Sequence, residues 1–95
     1  MAQRIADGLR REVPGLLVDD EPTVVDGVWT VRLVVPSGIV AAEVLAGTES
    51  ENVPWLADET LGRLRVPFSL QYDDEQQEQL VLVGAKVIHY LRQTG

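Results

Sequence analysis

The dipeptide Asp26-Gly27 stands between two runs rich in β-branched residues, Thr23-Val24-Val25 and Val28-Trp29-Thr30-Val31. Asp-Gly is favoured where a two-residue turn needs φ > 0 at both central positions, and such a turn fixes the register of the strands it joins. Val25 then pairs with Val28, Val24 with Trp29 and Thr23 with Thr30; a strand continued without interruption would set Glu21 against Arg32. Pro36-Ser37-Gly38 offers a second turn. Beyond it Val35 would face Val40, Leu33 Ala42, Val31 Val44 and Arg32 Glu43. Slipping that pairing by one residue sets Val31 against Glu43 and mixes the two faces of the sheet.

The register sorts the segment into two faces. One gathers Val24, Trp29, Val31, Leu33, Val35, Val40, Ala42 and Val44, and is the expected core face, with Trp29 in the core. The other carries Thr23, Thr30 and a charge row Glu21–Arg32–Glu43, together with Val25, Val28, Val34, Ile39, Ala41 and Leu45. Six apolar residues on a nominally exposed face exceed what a solvated surface needs, and point to an intermolecular contact. Upstream, Leu16-Leu17-Val18 begins a strand, but the uninterrupted register would aim Asp20 at the core. A bulge or break within Asp19–Pro22 removes that conflict.

Helical spacing marks both ends of the chain. Ala2, Ile5, Ala6, Leu9 and Val13 share one side of an N-terminal helix that Pro14-Gly15 ends. At the other end Leu80, Val83, Gly84, Val87, Ile88 and Leu91 form a broad apolar stripe. Asp73 or Asp74 can cap that helix, and Asp74 with Gln77 has capping-box spacing. Gly84 costs about 1 kcal/mol of helix propensity, which a close approach to a strand would offset. Between these regions, 47–62 shows no strand pattern; Pro54 to Leu61 reads as a short helix ending at Gly62. Arg63 to Asp73 alternates cleanly, with Leu64, Val66, Phe68, Leu70 and Tyr72 on one side. Pro67 lacks an amide donor and belongs where that side of the strand meets an edge or a bulge.

The expected architecture is a single α+β domain over 1–95. It has two layers: a four-stranded, mainly antiparallel sheet (meander 16–46 plus strand 64–72) packed on the N- and C-terminal helices. The element order is α-β-β-β-(short α)-β-α. This order resembles that of double-stranded-RNA-binding domains, but the last helix opens with acids where that fold sets basic residues toward phosphate. Small chaperone-like and phage tail-completion-like proteins share the size and order, which implies fold alone.

Composition excludes several functions. Eight Lys and Arg against fifteen Asp and Glu give a net charge of −7, a poor match for a phosphate backbone, so no nucleic-acid partner is expected. There is no cysteine, hence no disulfide framework and no thiolate site. No apolar run reaches membrane-span length, and the amphipathic N-terminus does not read as a signal peptide, so a cytoplasmic protein without a membrane partner is expected. His89 is the lone histidine and has no nucleophile pattern around it. The acidic triplets 19–21 and 73–75 lack calcium-loop spacing, so neither a metal nor a cofactor is expected.

The chain therefore reads as a non-enzymatic protein-interaction or self-associating module, with a protein partner or a homodimer. Its expected contact residues are Val28, Arg32, Val34, Ile39, Ala41, Glu43 and Leu45 on the second sheet face, Trp55 as an anchor in the 47–62 loop, and Arg65. Two alternatives stand beside it. One is a small-ligand or enzymatic site between the polar sheet face and the 47–62 loop, around Arg32, Glu43 and Arg65. The other is an acidic inhibitor or mimic protein.

Overall fold

The computed structural model describes residues 1–94. The chain is an α+β domain with an antiparallel four-stranded sheet, helices at both ends and a short helix between strands. In chain order the elements are α1 (Ala2–Glu12), β1 (Thr23–Val25), β2 (Val28–Val34), α2 (Ala41–Ser50), β3 (Leu56–Ala57), β4 (Arg63–Phe68) and α3 (Asp74–Thr94). Across the sheet the strands run β1-β2-β4-β3.

The Asp26-Gly27 hairpin has the register its turn dictates: Thr23 pairs with Thr30, Val24 with Trp29 and Val25 with Val28. Asp26 and Gly27 adopt φ of 51° and 79°. The interruption upstream is also present. Val18 rather than Asp20 stands opposite Leu33, held by the Asp19 amide on the Arg32 carbonyl and the Val34 amide on the Leu17 carbonyl. The bend that follows at Asp20–Glu21 ends the pairing and takes Asp20 out of the strand, and Asp20 forms an ion pair with Arg10 at 2.7 Å. The bend also removes Glu21 from Arg32, so that cross-strand pair does not form.

The second turn is not a hairpin. The Pro36–Gly38 turn leads instead into α2, and the expected third strand across 38–46 is helical from Ala41. Val31, Arg32 and Leu33 pair with Val66, Arg65 and Leu64 of β4 rather than with Val44, Glu43 and Ala42. Two patterns coexist in this stretch: Val40, Ala42 and Val44 alternate, while Ala41, Val44, Leu45 and Thr48 have helical spacing. Ala-Ala-Glu and Leu-Ala favour helix, and β4 offers β2 a better apolar match than alanine does. The burial pattern follows the helix: Val44 and Thr48 are buried, Ala41 and Leu45 partly so, and Val40 and Ala42 exposed.

The short helix expected over 54–61 is absent. That stretch supplies β3, whose Leu56 and Ala57 pair with Arg65 and Leu64, followed by a turn in which Gly62 has φ of 83°. β4 stops at Phe68, because Ser69 to Tyr72 form a turn in which the Tyr72 amide bonds the Ser69 carbonyl. Pro67 lies past the end of β3, so its missing amide donor costs the ladder nothing.

The core fills the space between one sheet face and the helices. Val31, Leu33, Leu64 and Val66 meet Ile5, Leu9 and Val13 from the α1 side, Val44 of α2, and Leu80, Val81 and Ile88 of α3. Each of the first two helices comes close to α3 at a glycine. A β-carbon on Gly8 would lie 3.2 Å from Val81, and one on Gly47 only 2.6 Å from Val87. The α3 cap is a reciprocal pair one residue earlier than Asp74/Gln77. The Gln76 amide donates to Asp73 Oδ1 at 2.8 Å, and the Asp73 amide donates to Gln76 Oε1 at 3.0 Å.

Candidate interaction face

Strand alternation places Thr23 and Val25 of β1, Val28, Thr30, Arg32 and Val34 of β2, and Arg63, Arg65 and Pro67 of β4 on the face turned away from the core. Leu56 joins them through its pairing with Arg65. The three helices contribute their apolar residues to the opposite side.

The turn after β3 folds over part of this face and carries Asp58 with it. Its side chain is 1% exposed and lies between two arginines: Arg65 Nε at 2.6 Å from Oδ1 and Arg32 Nη2 at 3.3 Å from Oδ2. The Thr60 amide also donates to Oδ2, at 3.0 Å. Desolvation pushes the Asp58 carboxyl upward, but the Thr60 amide and the charges of Arg65 and Arg32 outweigh it and hold the group below its ordinary range. Arg65 reaches further, donating from Nη1 to Thr23 Oγ1 and, at 3.0 Å, to Thr30 Oγ1. Thr30 in turn donates to the Thr23 carbonyl at 3.0 Å. A buried guanidinium needs its donors matched, and here two strands and a turn supply the acceptors. The cluster ties β1, β2 and β4 to the β3–β4 turn.

The expected contact residues divide accordingly. Val28, Arg32, Val34 and Arg65 do share the outer face. Arg65 is buried, Arg32 and Val34 are half-buried, and Val28 is exposed. Ile39, Ala41 and Leu45 pack against the core cluster instead, because the segment that carries them is the approach to α2 and α2 itself. Glu43 is exposed on α2 and has no part in a row with Arg32.

Trp55 and Trp29 have the reverse of their expected burial. Trp55 is 3% exposed, its indole Nε1 donating to the Leu80 carbonyl at 3.0 Å and its amide to Thr48 Oγ1 at 3.2 Å. It packs against Gly84, so the close approach at that glycine is to a loop tryptophan and not to a strand. Trp29 has the expected side-chain direction, but it belongs to the row Val24–Trp29–Phe68 at the end of the sheet. It is 44% exposed, Val24 51% and the nearby Leu70 76%. Beside Trp29 lies a shallow depression of about 450 Å³ walled by Val28, Phe68, Leu70 and Tyr72.

Asp58 was not singled out by sequence, and only the length of the 47–62 segment relative to the sheet hinted that part of it returns over the face. His89 bonds the Glu12 carbonyl through Nε2 at 2.6 Å, joining α3 to the end of α1. Among the described residues no group of three His, Cys, Asp or Glu is placed to hold a metal ion. No helix among them is long and apolar enough to cross a membrane. Comparison with protein-family models, curated proteins and solved structures gave no match to this chain.

Proposed function

We propose that the protein is a non-enzymatic interaction module whose contact surface is the outer sheet face. The observation that carries this reading is the one-sided packing: all three helices serve one face, while Val25, Val28, Val34 and Leu56 stay half-buried or exposed on the other. Aliphatic side chains around a rigid polar centre suit the core of a protein contact. Trp55 is buried and cannot serve as the anchor, and Trp29, though exposed, belongs to the opposite face of the sheet, so the contact rests on the aliphatic residues of the outer face.

Two features favour a different protein as partner over a second copy. A two-fold face-to-face dimer would bring two copies of the Arg32, Arg63 and Arg65 cluster into one interface. The free edge of β1 is three residues long and follows the Asp19–Pro22 interruption, which blunts strand-to-strand pairing. The ligand-site alternative is weakened because Asp58 already occupies the place between Arg32 and Arg65 where a small anion would bind.

Affinity capture from the source cell with wild-type, Val28→Lys and Val34→Lys proteins tests the reading, with light scattering run alongside. A partner retained by the wild type and lost by both folded variants supports it. A protein that stays monomeric and whose captured partners are indifferent to both substitutions overturns it.

A further inference from the structure

We infer that the part of the outer face between Arg63 and the Leu17–Asp19 segment binds an acidic peptide segment of a partner protein; this rests on the interaction-module reading and names the chemistry of the partner. The register Val34–Arg63 and Arg32–Arg65 puts three arginines on one face, out of only eight cationic residues in a chain of net charge −7. The carboxylate buried among them, Asp58, is engaged by Arg65, Arg32 and the Thr60 amide, although its Oδ1 meets Arg65 as an ion pair without an aligned hydrogen bond. Three guanidinium groups against one carboxylate leave this part of the face with excess positive charge. Arg32 Nε is buried without an acceptor, and exposed Arg63 has no ion-pair partner among the described residues.

Both arginines line a depression of about 260 Å³ whose other walls include Leu17, Val18 and Val34. Asp19 also borders it, but its Oδ1 accepts the Glu21 amide within a local turn. Leu17 is 68% exposed and gives the depression an apolar rim. A glutamate or aspartate side chain on exposed Arg63, in the positive field of the neighbouring Arg32, with an aliphatic neighbour on Leu17 and Val34, satisfies both kinds of surface at once. The acidic character of the rest of the chain steers an anionic partner toward this face and away from the others.

The test uses the full chain and a fluorescent peptide of alternating glutamate and valine, with glutamine and lysine counterparts, read by anisotropy at low and high salt. The glutamate peptide should bind about tenfold more tightly than the glutamine peptide and weaken as salt rises. Arg63→Gln should weaken it about fivefold or more, while Arg11→Gln, the same charge change on α1, should leave it within about twofold. Equal affinity for the glutamine peptide, equal loss in the two variants, or no binding at about 1 mM peptide overturns the inference. If the peptide fails while Val28→Lys and Val34→Lys still abolish capture of a partner, the acidic chemistry is wrong and the interaction face stands. If capture is also indifferent to them, both fall.

Discussion

The indole of Trp55 occupies the space that a side chain at position 84 would fill. A β-carbon on Gly84 would overlap Trp55 Cζ2 and Cη2. The same ring hydrogen-bonds the Leu80 carbonyl one turn earlier in α3. Gly84→Ala, which in a free helix would gain about 1 kcal/mol, should therefore destabilise the protein. Overpacking by one methyl group typically costs about 1–3 kcal/mol, and rigid aromatic atoms cannot yield cheaply. Trp55→Ala should cost about 3–5 kcal/mol. Urea denaturation monitored by circular dichroism measures both.

The two tryptophans should separate in fluorescence. Trp29→Phe leaves buried Trp55 as the sole emitter, and acrylamide quenching should fall sharply relative to wild type. Trp55→Phe should leave a readily quenched, red-shifted emission from Trp29. Because Trp29 is 44% exposed, Trp29→Phe should change stability by about 1 kcal/mol or less. A large stability loss would place Trp29 in the core instead.

Asp58 should control the acid limb of stability. Its carboxyl is held below the unfolded value, so its contribution is present above the unfolded carboxylate range of about pH 4 and is lost as pH falls through the folded value. Asp58→Asn should destabilise the protein at pH 7 by about 3–5 kcal/mol, because Arg65 stays buried without its counter-charge. The variant should also lose less stability than wild type between pH 5 and pH 2, in thermal melts across that range. The double replacement Asp58→Leu with Arg65→Met should recover part of the loss by removing both charges.

The α3 cap should be measurable by deletion. Asp73→Ala removes the acceptor for the Gln76 amide and should cost about 1 kcal/mol in denaturant titrations. Asp74→Ala lacks that bond and should cost less, even though Asp74 pairs with Arg4 at 2.7 Å, since both side chains of that pair are well exposed.

Local chemistry determined what could be read without the fold. Asp26-Gly27 admits few backbone conformations, so the β1–β2 register and its two faces followed from the dipeptide. The apolar stripes of α1 and α3 followed from 3.6-residue spacing, and the break at Asp19–Pro22 from the cost of aiming Asp20 at a core. Tertiary structure decided the rest. Residues 38–46 fit strand alternation and helix spacing equally well, and the outcome depended on β4 winning the pairing with β2. Trp29 and Trp55 could not be ranked by sequence, because burial depends on where the helices end over the sheet and on the gap that Gly84 leaves. Asp58 became a buried counter-ion only when the β3–β4 turn brought it over Arg32 and Arg65. Turn stereochemistry and periodicity act over a few residues; pairing, coverage and charge compensation join residues tens of positions apart, and only the folded chain sets them.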